Sequence, residues 1–172
     1  LTFGGSTNAS STWTPDGKRM VFYSNREGPL NLFWQLADGS GGLERLTTSE
    51  NLHVPMSISP DGQLLAFIES NPTTGLDIWV TSLSDHKAQP FIRTSFNESV
   101  ARFSPDGRWL AYISNESGRN EIYAQPYPGP GGKRQISTEG GTEPVWNPNG
   151  RELFYRSGDK MMAVDIATQP SF

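Results

Sequence analysis

The chain makes the same tight turn four times: Pro15-Asp16-Gly17, Pro60-Asp61-Gly62, Pro105-Asp106-Gly107 and Pro148-Asn149-Gly150, at intervals of 45, 45 and 43 residues. A fixed period of this length means one supersecondary unit copied along the chain, so the content of the unit decides the fold. Pro presets its own backbone angle, Asp or Asn bonds the backbone beyond it, and Gly accepts a positive φ, so each trio drives a chain reversal. Before each turn stands a polar residue (Thr14, Ser59, Ser104, Asn147), preceded by a large apolar one (Trp13, Ile58, Phe103, Trp146). That is a strand entering a hairpin.

A second strand follows each turn, with apolar residues at period two: Met20 and Phe22, Leu65 and Phe67, Leu110 and Tyr112, Leu153 and Tyr155. After a polar loop comes a third apolar run, at 32–34, 78–80, 122–124 and 161–164, and then a short fourth segment ending at Leu46-Thr47, Ile92-Arg93-Thr94 or Ile136-Ser137. Four antiparallel strands per unit predict an all-β chain built of propeller blades. The repeats run approximately over 4–48, 49–94, 95–138 and 139–172, in one domain.

Composition fits this reading. The 172 residues carry 18 Gly and 13 Pro beside 5 Trp, 5 Tyr and 9 Phe; aromatics at strand periods belong to a packed core, so the Gly and Pro mark turns. No Cys is present, which excludes disulfides and thiolate metal sites. A net charge of −4 without blocks of like charge argues against nucleic acid as a partner, and no apolar run is long enough for direct membrane insertion.

The units "STWTPDGKRMVFYSNREG", "SISPDGQLLAFIESN" and "RFSPDGRWLAYISNESG" resemble the WD-like propeller repeats of the TolB type, and the resemblance covers essentially the whole chain. The later units are similar to the propeller region C-terminal to bacterial serine/threonine protein kinase domains. The resemblance implies a sensor or interaction module without catalysis of its own, binding a protein, peptide or small ligand in an extracytoplasmic or periplasmic setting. The substrate-gating propeller of a prolyl-oligopeptidase-like serine peptidase is an alternative, as is a hydrolase or lyase working in the propeller's channel.

Leu1-Thr2-Phe3 matches the fourth strand that the last unit lacks. Pairing there would remove exposed sheet edges. It could do so in a four-bladed ring, in a homodimer of eight blades, or in a larger propeller of which these blades are a part.

Binding is expected where connecting loops meet a rigid scaffold. The face carrying the loops between second and third strands and between successive blades holds Arg26, His53, Asp77 and Glu98, together with Glu116, Arg119 and Glu143; Arg102, on a first strand, is placed toward the channel. The carboxylates are spread over separate blades and no calcium loop occurs, so neither a metal nor a cofactor is expected. Turn chemistry accounts for Asp16, Asp61, Asp106 and Asn149. No catalytic residues are assigned: His53 and His86 are the only histidines, no Gly-x-Ser-x-Gly is present, and the two Ser-x-x-Lys matches, at Ser84 and Ser157, fall in turns. Trp13, Phe22, Phe67, Trp79, Phe103, Tyr112, Tyr123, Trp146 and Tyr155 are expected to pack between blades, while Trp34 and Trp109 are out of phase. The run 126–132, rich in Pro and Gly, is read as a long outer turn.

Overall fold

Each of the four turns closes a β-hairpin in the computed structural model, which describes residues 6–129 and 131–166. The turn glycines take φ between 68° and 72°. Asp61 shows how the turn is held: its carboxylate accepts the Ser59 hydroxyl at 2.5 Å and the Gln63 amide at 3.0 Å, while the Ser59 hydroxyl oxygen accepts the Leu64 amide. Asp16 and Asp106 repeat the pattern with Thr14 and Ser104. A Cβ on Gly62 would sit 3.8 Å from Pro15, and one on Gly107 3.5 Å from Pro60, so the turns of successive blades stack on one another.

The first blade contains β1 (Asn8–Trp13), β2 (Arg19–Ser24), β3 (Asn31–Leu36) and β4 (Glu44–Arg45). The second contains β5 (Leu52–Ile58), β6 (Leu64–Asn71), β7 (Gly75–Ser82) and β8 (Ala88–Ile92); the third, β9 (Glu98–Phe103), β10 (Trp109–Ser114), β11 (Glu121–Pro126) and β12 (Arg134–Gln135). The fourth contains β13 (Thr142–Trp146), β14 (Glu152–Ser157) and β15 (Lys160–Asp165). Each sheet is antiparallel in sequence order, and among the described residues three sheets have four strands and the last has three. Strand β1 packs on β5, β5 on β9 and β9 on β13; no comparable packing returns from β13 to β1, so the described blades form an open arc. The expected strand at Leu1-Thr2-Phe3 lies outside the described residues.

The core sits between blades because successive residues of a strand point to opposite faces. Leu65 and Phe67 of β6 pack with Val21, Leu32 and Leu46 of the first blade, while Ala66 and Ile68 pack with Ala101, Phe103 and Tyr112 of the third. Strand β10 does the same: Leu110 and Tyr112 face the second blade, and Ala111 and Ile113 meet Trp146, Leu153 and Tyr155 of the fourth. In blades 2 to 4 the last residue of the first strand therefore packs toward the preceding blade. Trp13 corrects the expectation that it is packed: it is 53 % exposed, because no blade precedes its own among the described residues. Met161, on β15 of the last blade, is 77 % exposed.

Every first strand carries a bulge. Ser10, Val100 and Glu143, each seven residues before its turn glycine, take φ of 45°, 52° and 55° there; the fourth equivalent is Pro55, whose ring cannot follow them. A left-handed backbone is strained in a residue with a side chain. Ser10 is exposed, so Ser10→Gly removes strain at little packing loss and should raise stability by about 1 kcal/mol in urea denaturation. An equal or lower stability would show that the bulge is unstrained.

Candidate functional site

At the loop face, each passage from one blade to the next runs through a buried polar cluster. It is built from the start of a third strand, the Thr or Ser just after the fourth strand, and the residue nine positions before the next turn glycine.

Between blades 1 and 2 these are Asn31, Thr47 and His53, all buried. Asn31 Nδ2 donates to the carbonyls of Pro29 and Ser49, which fixes its amide and turns Oδ1 toward the Thr47 hydroxyl at 3.2 Å. The Thr47 oxygen accepts the Leu32 amide at 3.0 Å. His53 completes the chain, with Nδ1 at 2.9 Å from Thr47 Oγ1 and Nε2 at 3.2 Å from Glu69 Oε2. Burial holds the imidazole below its ordinary pKa, outweighing the Glu69 hydrogen bond and charge that pull it up. A neutral ring beside a carboxylate places its one proton on Nε2, which leaves Nδ1 an acceptor, and the single hydroxyl hydrogen of Thr47 serves either Nδ1 or Asn31 Oδ1. The sequence Thr–His–carboxylate matches a nucleophile relay in its bonding. Its hydroxyl, however, is wedged against Leu32 and Asn31 and 7 % exposed as a residue, so it serves as a clasp.

Between blades 2 and 3 the members are Asp77, Thr94 and Glu98. Glu98 Oε1 accepts Thr94 at 2.8 Å and Ser114 at 3.2 Å; Asp77 Oδ2 accepts Thr74 at 2.5 Å and lies 3.7 Å from Arg93 Nε. Between blades 3 and 4 the carboxylate of Glu121 accepts Ser137, the Gly140 amide at 2.9 Å and Arg119 Nε at 2.8 Å. Although burial opposes it, these three donors together hold Glu121 below the usual carboxylate range. The third position is Gly141.

Two of the clefts in the surface adjoin the outer strands. One of about 460 Å³ lies over the first clasp, lined by the partly exposed Trp79 and by Arg45, Thr48, Ser49 and His86, with Phe67 fully buried behind them. The other, of about 520 Å³, lies between the rims of blades 2 and 3 and is lined by Phe91, Tyr127 and Pro128 from the predicted outer turn, with Gln89 and Gln125. Among the described residues, no three His, Asp or Glu side chains are grouped to hold a metal ion.

The candidate residues divide sharply. His53, Asp77 and Glu98 are buried members of the clasps and do not form one open site. Arg26 donates to Ser24 and Asn8 beside the rings of Phe22 and Phe33. Arg102 is pinned on the Met56 carbonyl of the neighbouring blade rather than standing free in a channel. Glu116 pairs with Lys133, Arg119 with Glu121, and Glu143 with Arg156 at 3.6 Å. Trp34 donates to Glu44 at 2.6 Å under the Arg19 guanidinium, and Trp109 packs partly buried against the last core cluster. Thr47, Glu69, Ser114 and Ser137 were missed as site residues; the recurrent Thr or Ser after each fourth strand was the available signal.

No family model matches the chain. Among solved structures, a TolB-type protein of Agrobacterium tumefaciens superposes with a TM-score of 0.81 at 19 % identity, over 95 % of this chain and 64 % of that one. The fold is a TolB-like β-propeller. A puromycin-hydrolysing peptidase of Mycobacterium tuberculosis aligns with a TM-score of 0.73 at 18 % identity, over 94 % of this chain and 30 % of that one. In sequence, an uncharacterised peptidase of Bacillus subtilis, YuxL, is 26 % identical over 124 residues, 64 % of this chain and 19 % of the relative. The chain thus spans less than two thirds of each protein it resembles here. The expectation of a module without catalysis is corrected by these relatives, which are named as peptidases.

Proposed function

We propose that these blades form a peptide- or protein-binding propeller within a larger protein, with a peptidase as the parent that the comparisons favour. The observation carrying this reading is the cleft over the first clasp. The partly exposed Trp79 ring, hydroxyls of Thr48 and Ser49, and the Arg45 guanidinium form a half-apolar recess suited to a side chain flanked by peptide groups. The buried clasp beneath holds the 47–53 connection in place, which lowers the ordering cost of binding. In a peptidase such a face would select or admit substrate; beside a bacterial kinase domain, the setting that the later units resemble, it would sense an extracytoplasmic peptide.

A random peptide library displayed on phage and selected against the chain tests this. Selected peptides should bind at least about tenfold more weakly to Thr48→Trp, which fills the cleft, and equally well to Lys160→Ala on the exposed last strand. Failure to enrich any peptide, or equal binding by Thr48→Trp, would overturn the assignment.

A further inference from the structure

We propose that the seam between blades 2 and 3 is a proton-operated clasp: one proton on Glu98, buried in the same seam as Asp77, seals it, and its release to solvent loosens the 93–98 connection. Both side chains are sealed, at 0 % and 1 % exposure, and each leaves one oxygen without a donor: Asp77 Oδ1 and Glu98 Oε2. Consecutive residues bring the two acids to one seam, since Arg93 reaches Asp77 and Thr94 donates to Glu98. Two ionised carboxylates in this seam would be acceptors only, repelling each other and leaving both orphan oxygens without a hydrogen. Protonating Glu98 removes one charge and turns Oε2 into a donor.

The neighbouring seams show what is missing. At the equivalent of Glu98, blade 2 places His53, which supplies a proton to Glu69, and blade 4 places Gly141, which leaves Glu121 alone with three donors. Only the middle seam of these three brings two acids together without such a donor. The other groups facing Glu98 do not relieve it. Glu116 adds negative charge, although Lys133 partly offsets it; the Tyr112 phenol, buried among these acids, is held strongly toward its neutral form; and the half-exposed Arg93 lies on the far oxygen of Asp77. Burial and the nearby acids accordingly raise the Glu98 carboxyl above its ordinary value, against its two hydroxyl partners.

A raised folded-state value means that this stabilisation is complete below about pH 4.5, the unfolded value, and is lost as pH rises through the folded one. Glu98→Gln keeps an oxygen for Thr94 and Ser114 and supplies a fixed N–H donor in place of the proton. Its melting midpoint should equal that of the wild type near pH 5 and exceed it by about 2–4 °C at pH 8. Near pH 5 the wild type should also show an infrared carbonyl band of a neutral carboxylic acid that Glu98→Gln lacks and that fades as pH rises. Should that variant not fold, Asp77→Asn removes the neighbouring negative charge and should make the neutral-acid band fade at lower pH than in the wild type. A constant gap across pH, or no neutral-acid band, would overturn the proposal. So would calcium or sodium raising the wild-type midpoint at pH 8 and closing the gap, because a cation would then occupy the seam.

Discussion

Replacing His53 by Ala is expected to cost the fold about 3–5 kcal/mol, the range for removing one partner of a buried polar pair and leaving the other unpaired. Glu69 is 8 % exposed and 3.2 Å from His53 Nε2; its other side-chain contact is Asn71 Nδ2 at 3.3 Å, so the carboxylate would lose its closest donor. The imidazole also lies 4.7 Å from the Phe67 ring, so its loss opens a hole against the core of the blade 1–2 junction. His53→Gln, whose amide can donate to Glu69, should recover part of the loss. Urea denaturation with a common slope checks both values, and a loss under about 1 kcal/mol for His53→Ala would mean that water reaches Glu69 readily.

The same substitution should change the pH profile. Because the folded value of His53 is depressed, the stability it carries is complete above the unfolded value of about 6.5 and is lost as pH falls toward the folded one. The wild type should therefore weaken below pH 6.5, and His53→Ala should lose that slope while remaining less stable at every pH. This trend is opposite in sign to that of Glu98, so the two seams can be separated by their single variants.

The fold was legible because its information is local. Pro60-Asp61-Gly62 specifies a turn from three adjacent residues, and the alternation through Leu65 and Phe67 specifies a strand without knowledge of what it meets. The clasps were not legible in the same way. Asp77 and Glu98 read as binding residues on an open loop face, yet they and Glu121 are each at most 1 % exposed. Their burial comes from loops that close over them across a seam, and their partners are set by that closure: Ser114 is 16 residues from Glu98, and Ser137 is 16 from Glu121. Periodicity marks which positions are equivalent, but not that one seam pairs His with Glu, the next Asp with Glu, and the third leaves a Gly.

That Gly carries the other large effect. Alignment of the repeats puts Gly141 in register with Asn8, His53 and Glu98, as though any side chain would fit. A Cβ at Gly141 would instead stand 2.5 Å from Ser137 Oγ and 2.7 Å from Ile122 Cγ1, and no left-handed backbone is involved, so the obstacle is space alone. Ile122 and Ser137 are both buried, and the Ser137 oxygen already accepts the Ile122 amide at 2.8 Å while its hydrogen goes to Glu121. Neither can retreat without breaking that pair. Gly141→Ala should thus cost about 2–4 kcal/mol, overpacking compounded by a weakened bond to a buried acid. Ser137→Ala alone should also destabilise, but the double variant should lose less than the sum, because removing the hydroxyl clears one of the two clashes and the bond is already gone. Additive losses in chemical denaturation would mean that Gly141 and Ser137 act independently, and that the third seam is not packed as a unit.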